Sequence, residues 1–386
     1  MLGRKIETQI TEYLFHKATL EQRPIAGTFE LSPLCNFNCK MCYVHQSEKQ
    51  LKESGKELLP AEFWLNLAKE ARKKGMLYLL LTGGEPFLYR DFWKLYEGLV
   101  DMGFVLSINS NGSLIDESIV ERLKKNPPTR INITLYGASN ETYERLCGVK
   151  NGYTRTVRAI QLLKEAGIQV KLNCSLTPSN AEDLEKMVHF AEEQKLILEI
   201  ETYMFPPIRL DCEMAGKNHR FTPEEMAHYN LSKVYHQYGE ESFRKYVDDL
   251  ENGITIMEPG DTHCKETEGD QIKCRAGRAI FWTTWEGKIT PCAMMPIPSV
   301  SLKNHTFEEA WKELAEETAK VRLAPECKEC SNRKICHACA GMVYAESNDF
   351  AKKPQYLCEY TQAMREKCIA CQKVLDQEKQ IQKNEK

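Results

Sequence analysis

The sequence predicts an α/β fold: a partial (β/α)6 barrel, open on one side, with a smaller cysteine-rich C-terminal domain. Three observations predict it. Apolar, β-rich runs alternate with amphipathic stretches between residues 27 and 210. Polar residues gather where those runs end. The cysteines are clustered, with three in Cys35–Cys42 and eight from Cys264 to Cys358.

The runs are Thr28–Leu34, Leu77–Leu81, Phe104–Ile108, Ile131–Leu135, Val170–Leu176 and Ile197–Phe205. Amphipathic stretches such as Ala61–Lys74, Glu117–Lys125, Thr154–Ala166 and Ala181–Gln194 lie between them. Strand–helix–strand spacing of this kind gives parallel pairing with right-handed crossovers. Six strands fall short of the eight of a closed TIM-like barrel. Ligand sites in such sheets lie at the carboxyl ends of the strands.

The chain divides into a helical cap (1–26), the barrel (27–210), a helical connector (211–263), the cysteine-rich domain (264–360) and a terminal helix and tail (361–386). The cap is too short for a built-in peptide-binding domain, which needs ~80 residues. Thr222-Pro223-Glu224-Glu225 starts a helix in the connector, with proline in its first turn and acids at the positive end of its dipole.

A net charge of -3 over 386 residues offers no basic field for nucleic acid. No apolar run reaches the roughly eighteen residues of a membrane span, and Met1-Leu2-Gly3-Arg4-Lys5-Ile6 lacks the apolar core of an export signal. A cytoplasmic location is expected. Reduced thiols there make metal or cluster ligation a better default for sixteen cysteines than disulfides.

The first run opens into Cys35-Asn36-Phe37-Asn38-Cys39-Lys40-Met41-Cys42. Three thiolates on one loop, not four, leave a coordination position free for something other than protein. The second run ends in Thr82-Gly83-Gly84-Glu85-Pro86. Cys39 and Cys42 alone would suit a zinc site or a redox pair equally well. Two motifs in this order on successive strand ends are far more specific.

Together they resemble the CxxxCxxC loop and GGE motif of the radical S-adenosylmethionine (SAM) enzymes. The resemblance implies that Cys35, Cys39 and Cys42 bind three irons of a [4Fe-4S] cluster. The fourth iron would chelate the methionine end of SAM, which reductive cleavage turns into a 5′-deoxyadenosyl radical. The resemblance also implies cofactor contacts from Gly83, Gly84, Glu85 and Pro86, from Asn109, Asn111, Thr134, Asn173 and Ser175 at later strand ends, and from Tyr43 and Arg145. Any one strand-end residue could equally cap backbone groups. The chain departs from the pattern at Met41, where relatives often carry an aromatic, and at Cys147-Gly148, where they often carry an arginine.

The second field runs Cys264, Cys274, Gly287 to Cys292, Cys327, Cys330, Cys336, Cys339 and Cys358. Spacing alone fits a pair of four-cysteine zinc sites as well as iron–sulfur clusters. The pattern resembles the SPASM domain of peptide-modifying radical enzymes, with two residues rather than three between Cys336 and Cys339. The resemblance implies two auxiliary [4Fe-4S] clusters. Cys264, Cys274, Cys292 and Cys339 would hold the first, and Cys327, Cys330, Cys336 and Cys358 the second. The cofactors would then be three [4Fe-4S] clusters and SAM.

The expected activity is oxidative modification of a ribosomally made peptide, as a thioether or carbon–carbon cross-link. The expected partners are the peptide, an external electron donor of the flavodoxin or ferredoxin type, and a separate leader-binding protein. A formylglycine-forming sulfatase maturase is one alternative, although Ala293 stands where those enzymes carry an aspartate. A radical enzyme acting on a small metabolite and a zinc-binding scaffold are the others. Cys147, close to the expected pocket, and Cys368 and Cys371 on the last helix have no assigned role.

Overall fold

The protein is described by a computed structural model covering residues 9–217, 219–252, 272 and 274–384. Cys264 lies outside these described residues. Nine strands form one sheet in the order β6-β5-β4-β3-β2-β1-β7-β8-β9. They are β1 Ala26–Glu30, β2 Tyr78–Thr82, β3 Val105–Ser110, β4 Arg130–Thr134, β5 Val170–Ser175, β6 Leu198–Glu201, β7 Ile280–Thr283, β8 Lys288–Thr290 and β9 Val300–Ser301. The helices are α1 Gln9–Leu20, α2 Glu48–Glu53, α3 Ala61–Lys73, α4 Phe92–Asp101, α5 Glu117–Lys125, α6 Asn140–Cys147, α7 Gly152–Glu165, α8 Leu184–Glu193, α9 Pro223–Glu251, α10 Phe307–Lys320, α11 Ala340–Ser347 and α12 Gln355–Asn384.

β1 to β6 pair in parallel, each beside the next, and the sheet stays open. Alternation sorts their side chains. Phe29, Leu79, Leu81, Leu106, Ile108, Ile131, Ile133, Leu172 and Cys174 join one core with the helices. α3 turns Trp64, Leu67, Ala68 and Ala71 inward, and Trp64 meets Phe29 at a ring separation of 5.0 Å. By the same alternation the opposite face is mostly polar, with Thr28, Glu30, Thr82, Ser107, Asn109, Asn132, Thr134, Asn173 and Ser175 on it beside Leu80 and Val105. α1 packs Phe15 on Tyr78 at the amino ends of the strands, at a ring separation of 5.4 Å.

The cysteine-rich region is less separate than the sequence implied. β7 pairs in parallel with β1, and β8 and β9 continue the sheet antiparallel. The barrel sheet thus runs on into the second cysteine field. At the other edge, α9 caps β6: Gln237 Nε2 donates to the Leu198 carbonyl at 2.7 Å, and Lys233 Nζ donates to the Ile200 carbonyl at 2.8 Å. Covering an edge in this way removes a template for unwanted strand pairing. A cavity of about 390 Å³ lies beside this edge, between β6, α9, α11 and α12. No helix among the described residues is long and apolar enough to cross a membrane.

Candidate functional site

β1 stops at Glu30 because Pro33 has no N–H to give, but pairing with β2 continues past both strands. Leu31 N–H donates to the Thr82 carbonyl at 2.9 Å, Gly84 N–H to the Ser32 carbonyl at 2.7 Å and Glu85 N–H to the Leu34 carbonyl at 2.9 Å. The thiol loop is thereby laid across the end of β2, and only glycine fits beneath it. A Cβ on Gly83 would stand 2.6 Å from the Ser32 carbonyl oxygen, and one on Gly84 2.3 Å from that of Leu34. Gly84→Ala is expected to destabilise the protein by about 1–3 kcal/mol or more, seen in chemical denaturation with loss of bound iron. An unchanged midpoint and iron content would contradict this packing.

Glu85 is a buckle. Its fully buried carboxylate accepts from Ser110 Oγ at 2.9 and 3.0 Å, from Asn111 N–H at 2.9 Å and from Phe87 N–H at 3.3 Å. Burial pushes its pKa up to about 7, and these three donors partly offset that. The folded state therefore holds a proton that the unfolded chain has released between pH 4.5 and about 7. Stability is expected to fall as pH rises through that window, by on the order of 3 kcal/mol from this group. Comparing denaturation of the wild type and Glu85→Gln across that range checks it. The variant should show a flatter slope, and equal slopes would refute the assignment.

Asn111 reaches the thiol loop. Its Nδ2 donates to Asn36 Oδ1 at 2.9 Å and lies 3.7 Å from Cys35 Sγ. Ser113 receives a bond from Asn36 Nδ2 at 2.8 Å and donates from its hydroxyl to Asn111 Oδ1 at 2.7 Å. Cys35 also accepts from Phe37 N–H at 3.4 Å, and Cys42 from His45 N–H at 3.3 Å. Burial first, with Glu85, Cys39 and Cys42 adding to it, pushes the Cys35 thiol up to about 12. The three loop thiols thus lie in one another's field.

Deeper in the half-barrel, Asn132 Nδ2 donates to Asn109 Oδ1 at 2.7 Å. Asn132 Oδ1 and Asn173 Oδ1 are buried and accept nothing. Orphaned buried acceptors cost ~1–3 kcal/mol each, so they fit a pocket that a polar ligand or water completes. Thr134 and Asn173 stand side by side across β4 and β5, and Ser175 beside Glu201 across β5 and β6. Pro86 opens a short 3-10 turn capped by Glu85. Arg145 is occupied elsewhere: its Nε donates to the Ser179 carbonyl at 2.8 Å and Nη2 to Glu182. The expectation that it contacts the cofactor has no counterpart in these bonds.

Tyr43 lies in a knot that sequence reasoning missed. Glu30, at the carboxyl end of β1, takes two bonds from Arg209 at 2.9 and 2.7 Å and one from Trp282 Nε1 at 2.9 Å. Arg209 stands 5.8 Å from the Tyr43 ring. The signal was a glutamate inside an apolar run. Burial first, then the charge of Glu30, raises the Tyr43 phenol; Arg209 opposes this, and Cys42 and Cys292 add to it weakly.

In that field the described thiols fall into two sets. Cys292 is pushed up to about 12 by burial and then by Cys339 and Cys274. Cys358 is raised by burial and also feels Cys336, Cys327 and Cys330. Among the described residues no three His, Cys, Asp or Glu side chains close on one ion. A four-iron cluster takes each thiolate on a different iron, so it needs thiols facing a common space rather than one point. The donor set, all thiols, and its division suit such clusters.

A family model described as "Radical SAM superfamily" matches residues 29–191. The AdoMet-dependent heme synthase of Methanosarcina barkeri is 24% identical over 357 residues, covering 86% of this chain and 95% of that protein. The PqqA peptide cyclase of Granulibacter bethesdensis is 30% identical over 169 residues, 44% of each chain. Among solved structures, Streptococcus suis SuiB bound to its precursor peptide SuiA superposes with a TM-score of 0.65 at 20% identity, covering 90% of this chain and 78% of that one. Residues 29–191 thus match the radical SAM superfamily, and over 90% of its length the chain shares the fold of SuiB.

Proposed function

We propose that this protein is a radical SAM/SPASM oxidoreductase that modifies a ribosomally made peptide by removing hydrogen. The observation that carries the reading is the loop of Cys35, Cys39 and Cys42 laid across the end of β2, where only Gly83 and Gly84 fit beneath it. When bound, the loop cluster and SAM supply a 5′-deoxyadenosyl radical for hydrogen abstraction, and the auxiliary clusters supply an acceptor for the electron the product gives up. The chain's own residues hold and shield that chemistry. Glu85 ties β2 to β3, Asn111 pins the loop, and Asn132 and Asn173 offer acceptors inside the half-barrel. Cys35, Cys39 and Cys42 would hold the radical cluster. Cys264, Cys274, Cys292 and Cys339 would hold one auxiliary cluster, and Cys327, Cys330, Cys336 and Cys358 the other.

The peptide substrate is supported by relatives described as a peptide cyclase and as a precursor-peptide complex. It is also supported by charge. The inner groups near the carboxyl ends of the strands are Glu30, Thr82, Asn109, Thr134, Ser175 and Glu201, and Arg209 is neutralised by Glu30. Among the described residues, these inner groups are acidic or neutral. The second reading, a tetrapyrrole substrate, is favoured by the near full-length match to a heme synthase. A flavodoxin- or ferredoxin-type donor and a separate leader-binding protein complete the proposed system, in the cytoplasm.

Anaerobic incubation of reconstituted enzyme with SAM, a reductant and the short peptides encoded beside it tests the reading. Loss of two hydrogens from a peptide by mass spectrometry supports it. SAM cleavage with every peptide unchanged defeats the peptide assignment, and a mass change on a porphyrin instead selects the second reading.

A further inference from the structure

β6 is the last strand at its end of the sheet, and its outer edge is met by side chains rather than by a strand. Leu172 and Leu176 N–H donate to the Ile197 and Glu201 carbonyls, each at 2.8 Å, so the backbone of these alternate β6 residues faces β5. The N–H and carbonyl groups of Leu198 and Ile200 therefore point the other way, out from the edge. Gln237 Nε2 and Lys233 Nζ of α9 donate to those two carbonyls. Among the described residues the two N–H groups have no acceptor.

Both donors line the cavity of about 390 Å³ at this edge. That volume falls within the roughly 300–1,000 Å³ of ligand sites. Residues 198–203, which are β6 and its continuation, form one wall. The facing wall changes course where α9 breaks at Gly239, whose φ of 75° and ψ of 175° suit glycine alone. Gln237 lines the cavity before the break, and Ser242 and Tyr246 line it after. Glu201 stands beside Ser175 at the carboxyl end of the sheet, and His337 and Ala338, between Cys336 and Cys339, also line the space.

We propose that an extended segment of the substrate peptide pairs with the outer edge of β6 as a further strand, displacing Gln237 and Lys233 from the two carbonyls. Main-chain bonds would hold the segment, and its alternate side chains would give selectivity. One set falls beside Leu198 and Ile200, which are buried, and meets Met226 and Val234. The other set falls beside Glu199 and Glu201, which are exposed. The segment recognised therefore alternates apolar with polar residues. A strand laid along β6 leads to the carboxyl ends of the strands, the ligand side of such sheets. Until it arrives, the two α9 side chains keep other chains off the edge. The proposal rests on the peptide reading above and deepens it by naming where and in what conformation the peptide is held.

The test is amide hydrogen–deuterium exchange, read residue by residue, on the full-length, anaerobically reconstituted protein with SAM and no reductant. The probe is the co-encoded peptide that loses two hydrogens in the assay above, added to saturation. The Leu198 and Ile200 amides should exchange readily without it and at least about tenfold more slowly with it. Gln237→Ala removes a competitor for the Leu198 carbonyl, so the same peptide should bind about threefold to tenfold more tightly by fluorescence anisotropy. Loss of an ordinary contact would have the opposite sign. A peptide that is modified while both amides exchange at unchanged rates would overturn the proposal, as would weaker binding to a folded Gln237→Ala protein. The exchange measurement needs no substitution, so it decides the matter even where the variant fails to fold. If no co-encoded peptide is modified, the peptide reading itself fails, so the two failures are distinct.

Discussion

Replacing any one of Cys35, Cys39 or Cys42 with alanine is expected to abolish SAM cleavage, lowering 5′-deoxyadenosine formation by at least about a thousandfold. Three thiolates hold three irons of a four-iron cluster and leave the fourth open, so the loss of one leaves too few anchors. The loop tolerates little repair, because Gly84 and Ser32 hold it from below and the α6 carbonyls hold it from the side. Iron content should drop by about four per chain while the auxiliary thiols keep theirs. Cys212, exposed and outside both fields, is the control, and Cys212→Ala should behave like wild type. Product formation above a tenth of wild type in a loop variant would contradict the assignment.

The second large effect concerns stability. Arg220, just before α9, puts Nη1 2.5 Å and Nη2 2.9 Å from the two carboxylate oxygens of Glu346 on α11. The pair is 8% and 4% exposed. Tyr203, beyond β6, gives its hydroxyl to the same carboxylate. The guanidinium lies 3.7 Å from the ring of Tyr356 on α12. One charge pair thus clasps the barrel edge, the connector and the cysteine-rich region.

Breaking a buried pair from one side leaves an unpaired charge, which costs ~3–5 kcal/mol. Glu346→Ala is expected to lower Tm by roughly 5–10 °C. Replacing both charges with apolar residues, as Arg220→Met with Glu346→Leu, should recover much of the loss, because apolar pairs of similar volume commonly match buried ion pairs. A single variant within about 1 kcal/mol of wild type would show that the clasp is not structural.

The sequence made most of the barrel readable because period-two alternation and helical amphipathicity both follow from burial of one face. All six expected strands are present. β1 was expected to run to Leu34, but it ends at Glu30 because Pro33 cannot donate to the ladder. β6 was expected to reach Phe205 and ends at Glu201.

The hairpin β7–β8 and strand β9 were missed. They are two to four residues long and lie among cysteine motifs that drew attention to spacing instead. The pairing of β7 with β1 spans some 250 residues, and no local periodicity reports such a contact. The same limit hid the clasp of Arg220 with Glu346 and the Glu30 knot. Motif matching found the thiol loop and the glycine pair, since chemistry and close approach restrict which residues fit there. It did not show that Arg145 would be engaged by Ser179 and Glu182, because helix-surface partners depend on the neighbouring loop.

The most direct test of the central claim is the iron, sulfide and zinc content of anaerobically purified protein, with 5′-deoxyadenosine measured after reduction in the presence of SAM. The account predicts about twelve irons and as many sulfides per chain, with 5′-deoxyadenosine formed. Zinc without iron, and no 5′-deoxyadenosine, would contradict it.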